Sequence, residues 1–163
     1  MNNEKTENNP CKCNHGIELP SLVRVVNKSG FEVPEYKTPM SSGVDLKYSG
    51  EEEYTLQPME RKLFNTGLYI QLEPGYEAQI RPRSGLALKH GITVLNTPGT
   101  VDADYRGEIG VILINLSNEP YTIAHGDRIA QMVVGPYRQV KFLEVDELSE
   151  TERGECGFGH TGK

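Results

Sequence analysis

The chain contains few cysteines and no long hydrophobic run, and both features limit its class. Of the three cysteines, Cys11 and Cys13 are too close together to build a disulfide scaffold, and Cys156 lies in a glycine-rich tail. No apolar run approaches the roughly 20 residues of a membrane-spanning helix, and the first ten residues lack the apolar core of a secretory signal. We therefore expect a cytoplasmic protein without a membrane partner.

Positive charge is also scarce. The 17 lysines and arginines are outnumbered by 23 aspartates and glutamates, so the formal net charge is −6 at pH 7. Because binding to a nucleic-acid polymer depends on a basic surface that neutralises phosphates, this balance argues against nucleic acid as a partner. A single small phosphorylated molecule remains possible, because it needs only a few local donors.

The pattern of apolar residues is typical of a single β-rich domain. From residue 22 onward, short apolar runs rich in Val, Ile and Tyr alternate with turn signals such as EPGY, NTPG and HGD. This spacing predicts a β-sandwich or barrel. The runs are LVRVV, EYTLQ, KLFNTGLYIQL, YEAQI, GVILIN, YTIA, IAQMVV and VKFLEV.

One short segment predicts a helix. Ser84 is placed to cap it, good helix formers follow, and Gly91 is placed to end it after Lys89 and His90. A helix N-terminus offers unpaired N–H groups to an anion, and Gly85 lets phosphate oxygens approach the backbone. The segment is not a Walker loop, because GxxxxGK[ST] is absent.

Both ends of the chain differ from the middle. Residues 1–20 are polar and without apolar period, which predicts a mobile extension, followed by a β domain over 21–146. Residues 147–163 hold little apolar surface, so we expect a flexible arm that closes over a ligand or stays disordered. Cys11, Cys13 and His15 match no common zinc pattern, and their role stays open.

The run GTVDADYRGE, residues 99–108, combines two carboxylates, an aromatic ring and an arginine. Strand periodicity predicts that Asp102, Asp104 and Arg106 share one face, while the residues between them share the other. Such a convergence is typical of a site. A salt-bridged hairpin on a solvated face explains the run equally well, and we expect Asp104 to pair with an arginine rather than to act in catalysis.

Five segments, taken in order, resemble the five ordered motifs of the trimeric dUTP pyrophosphatases (dUTPases). They are SGVDL at 42–46, PRSGLAL at 82–88, GTVDADYRGE at 99–108, GDRIAQMV at 126–133 and RGECGFGHTG at 153–162. The resemblance implies an all-β jelly-roll (β-clip-like) subunit with one short helix, and a homotrimer with C-terminal arm exchange. It also implies Mg²⁺-dependent hydrolysis of dUTP to dUMP and pyrophosphate, which keeps uracil out of DNA and supplies dUMP for dTMP synthesis.

The resemblance also assigns roles to residues of this chain. Asp102 becomes the catalytic carboxylate that activates a water for attack on the α-phosphorus, and Asp45 contacts the metal indirectly, through water. The phosphate-binding residues are Arg83, Ser84, Gly85, Gln131 and Arg153. A carboxylate is a weak base at neutral pH, so most of the acceleration has to come from Mg²⁺ and the arginines.

Recognition of the nucleoside is expected from backbone groups of a β-hairpin, which can mimic a pairing base edge. The residues implied for uracil and deoxyribose are Asn96, Gly99, Thr100, Val101, Asp102, Tyr105, Gly110, Phe158 and Gly159. Tyr105 lies under the sugar in this assignment and occupies the space of a 2′-hydroxyl, although a half-buried structural tyrosine is the alternative. Phe158 stacks on the uracil ring.

Two positions depart from the family pattern. Ser42 stands where alanine is usual, and His160 stands where serine is usual, so turnover is expected to depend on pH if His160 reaches phosphate. Two other functions stay open from sequence alone. One is a dCTP deaminase, which would release ammonia from dCTP, and the other is a nucleotide-gated interaction protein, which would bind dUTP without turnover.

Overall fold

The computed structural model describes residues 22–155 and residue 157. Within these residues the chain forms eleven strands and one short helix. The strands are β1 (Arg24–Asn27), β2 (Val44–Lys47), β3 (Tyr54–Leu56), β4 (Arg61–Asn65), β5 (Leu68–Gln71), β6 (Tyr76–Arg81), β7 (Ile92–Val94), β8 (Gly99–Val101), β9 (Gly110–Asn115), β10 (Tyr121–Ile123) and β11 (Arg128–Pro136), and the helix is α1 (Ser84–His90). The predicted all-β class with one short helix is confirmed.

The strands pair into four antiparallel sheets. The largest has the order β2-β11-β6-β8, and a three-stranded sheet has the order β4-β9-β7. Two two-stranded sheets, β1-β5 and β3-β10, complete the described fold. In the largest sheet Gln131 of β11 lies opposite Asp45 of β2 and opposite Arg81 of β6, so this register brings three distant parts of the sequence together.

A single hydrophobic cluster takes side chains from all four sheets. Strand alternation produces it, because every second residue of a half-buried strand points inward. Leu46, Leu56, Phe64, Val111 and Leu113 are completely buried in this cluster. The rings of Tyr48 and Tyr54 contact Phe64 edge-on, at centroid distances of 5.2 and 6.1 Å. The core therefore fixes the sheets that carry the motif residues.

The helix ends as predicted but begins differently. Gly91 adopts the left-handed conformation at φ 65°, and its N–H donates to the Ala87 carbonyl at 3.1 Å. The N-cap residue is Arg83, in an extended conformation, and it provides no side-chain cap. Ser84 is the first helical residue, so its predicted capping role is wrong. The helix therefore begins one residue earlier than a serine cap at position 84 would require.

Two predicted runs also differ from the structure. The run KLFNTGLYIQL divides into β4 and β5 at Thr66 and Gly67, where Gly67 has φ +68°. The run VKFLEV, residues 140–145, forms no strand, and the Phe142 side chain is 96% exposed. A strand needs a neighbouring strand for its backbone groups, and residues 140–145 pair with no described strand of this chain. Over residues 22–155, the only helix is far too short and polar to cross a membrane.

Candidate active site

Asp45, Arg83 and Arg128 form an ion-pair cluster at one end of the largest sheet. Nε of Arg83 donates to Oδ1 of Asp45 at 2.8 Å, and Nη1 of Arg128 donates to Oδ2 at 3.3 Å. Nη1 of Arg83 also donates to the Arg128 carbonyl oxygen at 3.3 Å. Asp45 lies on β2, Arg128 begins β11, and Arg83 follows β6, so the cluster joins the segments 42–46, 82–88 and 126–133.

Gln131 connects β11 to the segment before α1 at the same end of the sheet. Its Nε2 donates to the Pro82 carbonyl oxygen at 2.9 Å, which ties β11 to the turn before α1. Gly43 leaves room for this side chain, because a Cβ there would lie 2.8 Å from Oε1 of Gln131. The small residue in the first motif therefore has a packing reason in this chain.

The cluster faces solvent and carries a surplus of positive charge. The side chain of Arg128 is 52% exposed, whereas those of Arg83 and Asp45 are 25% and 20% exposed. Ser84 and Gly85 are exposed beside it, and nothing lies within 4 Å of the position that a Gly85 Cβ would take. Two guanidinium groups around one carboxylate can bind a further anion, and Arg forks match phosphate oxygens in geometry.

Tyr121 borders the cluster, and its phenol stays neutral at neutral pH. It lines a small depression together with Arg83, Asp127 and Arg128. Burial raises the pKa of the Tyr121 phenol, and the nearby Asp127 raises that pKa further, while Arg83 acts in the opposite direction. The Tyr121 ring also contacts His90, with ring centroids 4.6 Å apart.

Asp102 lies in a turn and not in the extended strand that periodicity predicted. β8 ends at Val101, and the Tyr105 N–H donates to the Asp102 carbonyl at 3.1 Å. The Arg106 guanidinium donates to the carbonyls of Ala103 and Tyr105 at 2.7 and 2.8 Å. The prediction of two alternating faces over Asp102, Asp104 and Arg106 is therefore wrong, because this turn bends the chain back on itself.

The predicted partner of Asp104 is also absent among the residues described. Asp104 makes no ion pair with an arginine of residues 22–155, and the neighbouring Arg106 binds backbone carbonyls instead. Asp102, Asp104 and Arg106 line an open depression of about 570 Å³, which Pro74 and Tyr137 complete. Asp102 itself is exposed there.

The structure does not bring Asp102 and the Arg83 cluster together within one chain. Val101 pairs with Ala78 near the start of β6, whereas Arg83 follows the end of β6. At about 3.3 Å per strand residue, Ala78 and Arg83 are separated by about 17 Å. Asp102 lies one residue beyond Val101, further from Arg83, so the two groups occupy opposite ends of one strand.

The segment predicted to recognise the nucleoside connects two sheets and is not a hairpin. β7 pairs with β9 and β8 pairs with β6, so residues 92–101 cross from one sheet to the other. The Asn96 side-chain amide lies 3.2 Å from the position of a Gly99 Cβ, Val101 is buried and Thr100 is exposed. The hairpin expectation is wrong because each strand finds its partner in a different part of the chain.

Tyr105 and Gly110 flank the loop that follows. Oη of Tyr105 donates to the Glu108 carbonyl oxygen at 3.0 Å, and the side chain is 45% exposed. A Cβ at Gly110 would lie 2.7 Å from Cδ1 of Leu63, the end of a flexible and largely exposed side chain.

Sequence reasoning missed the residues that anchor this loop. Oε1 of Glu108 accepts the Gly67 N–H at 2.8 Å, and the buried Thr66 hydroxyl donates to the Ile109 carbonyl at 2.6 Å. The NTG interruption in a predicted strand signals the turn at Thr66 and Gly67, but no local signal links it to residues more than 40 positions later.

Several predicted residues fall at or beyond the edge of the described chain. Arg153 lies in an exposed turn, where the Gly154 N–H donates to the Thr151 carbonyl at 3.1 Å. Phe158, Gly159 and His160 lie outside the described residues, as do Cys156 and the N-terminal Cys11, Cys13 and His15.

The described residues fit a metal ion whose ligands come mainly from a bound phosphate compound and water rather than from protein side chains. No cluster of three or more His, Cys, Asp or Glu side chains is found over residues 22–155. Both Asp45 oxygens already accept hydrogen bonds from arginines. Mg²⁺ keeps several waters and is commonly held by one or two carboxylates plus substrate phosphates, a role open to Asp45 through water.

Comparison with known proteins matches this arrangement to one family. A family model described as dUTPase matches residues 29–162. The deoxyuridine 5'-triphosphate nucleotidohydrolase of Fusobacterium nucleatum is 57% identical over 141 residues, covering 86% of this chain and 97% of that protein. The protein of the same name from Cytophaga hutchinsonii is 53% identical over 152 residues, covering 93% and 99%.

A solved structure agrees with the fold. The dUTPase of Staphylococcus bacteriophage 80alpha, a G164S variant with dUpNHpp, superposes with a TM-score of 0.78 at 26% identity, covering 88% of this chain and all of that one. A family model that spans residues 29–162, together with two relatives that are 57% and 53% identical over most of the chain, shows that the chain belongs to the dUTPase family.

Proposed function

We propose that this protein hydrolyses dUTP to dUMP and pyrophosphate. The observation that carries the proposal is the convergence of Asp45, Arg83 and Arg128 at a solvent-facing end of the largest sheet, in a chain of the dUTPase family. Relatives at 53% to 57% identity are named for the same nucleotide, which supports dUTP as the substrate. The reaction supplies dUMP and, by removing dUTP, keeps uracil out of DNA.

The triphosphate binds at the Asp45 cluster in this proposal. Within the described part of the chain, Arg83 uses Nε and Nη1 for its hydrogen bonds, so Nη2 is available to a phosphate oxygen. Asp45 holds both guanidinium groups in place before the substrate arrives, which lowers the entropy lost on binding. Ser84, Gly85, Gln131 and Arg153 complete the proposed phosphate contacts.

Asp102 orients and deprotonates the attacking water at the α-phosphorus. Its exposure in an open depression supports this role, because the carboxylate is accessible to both water and nucleotide. When bound with the triphosphate, Mg²⁺ supplies neutralisation of the charge on the phosphoryl oxygens. Asp45 contacts that ion through water.

Uracil and deoxyribose occupy the region around β8. Backbone groups of Asn96, Gly99, Thr100, Val101, Asp102 and Gly110 read the base, and Tyr105 fills the space that a 2′-hydroxyl needs. Phe158 and Gly159 of the C-terminal arm close over the ring, and the arm spans residues 147–163. Tyr105 is 45% exposed, so its ring is accessible to a bound sugar.

A homotrimer completes the site. Arg83 and Asp102 have to contact the same triphosphate, yet they lie at opposite ends of β6 in one chain, which supports a site shared between copies. A partner copy would also cover large apolar side chains that are exposed over residues 22–155. They include Val26, Leu63, Leu88, Leu95 and Leu116, with Phe142 and Leu143 in the segment before the arm. The proposed location is the cytoplasm.

Pyrophosphate release from each deoxynucleoside triphosphate and from UTP tests the function. We expect fast release from dUTP alone, and near loss of release in Asp102→Asn with unchanged circular dichroism. Asp104→Asn is the matched control, because it removes a neighbouring exposed carboxylate and is expected to retain turnover. Ammonia release from dCTP would identify a deaminase instead, and dUTP binding without pyrophosphate release would identify a nucleotide-gated binding protein.

A further inference from the structure

The loop between β8 and β9, residues 102–109, is anchored on the turn between β4 and β5. The Thr66 hydroxyl donates to the Ile109 carbonyl at 2.6 Å, and the Ile109 N–H donates to the Leu68 carbonyl at 2.8 Å. Glu108 adds a third bond, because its Oε1 accepts the Gly67 N–H at 2.8 Å. An ionised acceptor on a backbone N–H makes a stronger bond than a neutral pair does.

The main chain of Glu108 also accepts a hydrogen bond from the side chain of Tyr105. Oη of Tyr105 donates to the Glu108 carbonyl oxygen at 3.0 Å, and the ring lies against Gly107, where a Cβ would clash with the phenol. Since the Tyr105 side chain is 45% exposed, the hydrophobic core contributes little to its position. The position of the ring above the sheet depends on the position of Glu108, which is held by the Gly67 N–H through its side chain and by the bonds of the neighbouring Ile109.

The remaining bonds of the loop are local and cannot fix it relative to the sheet. The Arg106 guanidinium donates to Ala103 and Tyr105, and the Tyr105 N–H donates to Asp102, all within the loop itself. These bonds hold the loop together as one body. Among the side chains of residues 102–108, the Glu108 carboxylate makes the hydrogen bond that connects the loop to the turn between β4 and β5.

We propose that Glu108 is a positioning residue for sugar selectivity, which holds Tyr105 where its ring excludes a 2′-hydroxyl. The proposal rests on dUTP hydrolysis as the activity and on Tyr105 as the group beneath the sugar. Without the carboxylate, Ile109 stays bonded to Thr66 and Leu68, but residues 102–108 lose their side-chain bond to the Gly67 turn and shift relative to it. Tyr105 then leaves room for ribose, and UTP becomes a better substrate relative to dUTP.

The test compares Glu108→Ala, Glu108→Gln and the parent for kcat/KM on dUTP and on UTP. Loss of a charge-assisted hydrogen bond corresponds to about a tenfold change, so we expect Glu108→Ala to lower the dUTP/UTP selectivity ratio about tenfold. Glu108→Gln keeps an oxygen acceptor for the Gly67 N–H and is expected to restore the ratio. Glu60→Ala is the matched control, because Glu60 also accepts a backbone N–H of a turn, from Gln57 at 2.8 Å, away from this loop.

Amide hydrogen exchange of the same four proteins gives a readout that does not depend on turnover. We expect faster exchange over residues 102–107 in Glu108→Ala alone. An unchanged selectivity ratio in Glu108→Ala, or a Glu108→Gln variant as impaired as Glu108→Ala, would overturn the proposal. A parent that releases no pyrophosphate from dUTP would refute the proposed function and the selectivity role with it, while exchange separately decides whether Glu108 holds the loop.

Discussion

Replacing Gly67 by alanine tests how tightly the turn between β4 and β5 is packed against β1. Gly67 has φ +68°, and a Cβ there would lie 2.5 Å from Cα of Ser29 and 2.6 Å from its nitrogen. Real Cβ atoms do not approach backbone atoms this closely, so the β1 end and the turn have to separate. The hydrogen bond from the Lys28 N–H to the Gly67 carbonyl, at 2.7 Å, is stretched by that movement.

The magnitude follows from three separate effects. The left-handed conformation costs an alanine about 1 to 2 kcal/mol, overpacking costs about 1 to 3 kcal/mol, and a weakened hydrogen bond costs about 1 kcal/mol. We expect Gly67→Ala to lower the free energy of unfolding by about 4 kcal/mol. Gly75→Ala is the matched control, since Gly75 has φ +90° but nothing within 4 Å of its Cβ position, and only the first effect applies.

Urea-induced unfolding measures both variants, at one protomer concentration because assembly contributes to apparent stability. We expect Gly75→Ala to lose about 1 kcal/mol, with the slope of the transition unchanged in both variants. Equal losses in the two variants would refute the reasoning, because the turn would then relax around the added methyl group without strain.

Three further predictions concern the arm, the core and the pH dependence. Removing residues from Glu152 onward is expected to abolish most dUTP turnover while leaving the melting temperature nearly unchanged, whereas a large drop in that temperature would make the arm structural. Asn115→Ala is expected to lower the free energy of unfolding by about 3 kcal/mol in urea titrations. The side chain of buried Asn115 donates to the Leu56 and Glu119 carbonyls at 3.0 and 2.8 Å and accepts the Ser117 N–H at 2.9 Å. A loss below about 1 kcal/mol would contradict this prediction. The Tyr54 hydroxyl, then the Gln57 N–H, lower the pKa of the Glu60 carboxyl below its ordinary 4.5. The stability that Glu60 provides is therefore present above pH 4.5 and lost as the pH falls through the folded-state pKa, so the stability gap between parent and Glu60→Gln should close in acid. A gap independent of pH would exclude this linkage.

Local features were well predicted wherever the deciding interaction was also local. Gly91 ends the helix because the left-handed C-cap conformation favours glycine, and the Gly126 and Gly75 turns fall where HGD and EPGY predict them, at φ +88° and +90°. The short Val-rich and Ile-rich runs became strands wherever a partner edge existed. Residues 140–145 are similarly rich in apolar residues but pair with no described strand of this chain, and their side chains are exposed.

The interpretation of GTVDADYRGE failed for the same reason. Period-two alternation assumes an extended chain. The pairing of β8 with β6 ends at Val101, and the residues that follow form a turn. Nothing in the run itself reports where the neighbouring strand ends. The Glu108 bond to Gly67 was equally hidden, since 41 residues separate its partners.

Residue order and short-range conformational preference were enough to predict the all-β class, a short helix that ends at Gly91, and the five ordered motifs that identify the family. Long-range packing was needed to bring Asp45, Arg83 and Arg128 together at one sheet end, with Asp102 at the other, and to join Glu108 to Gly67. Strand register and long-range hydrogen bonds are fixed by the packing of the whole core, and no short window of sequence contains that information.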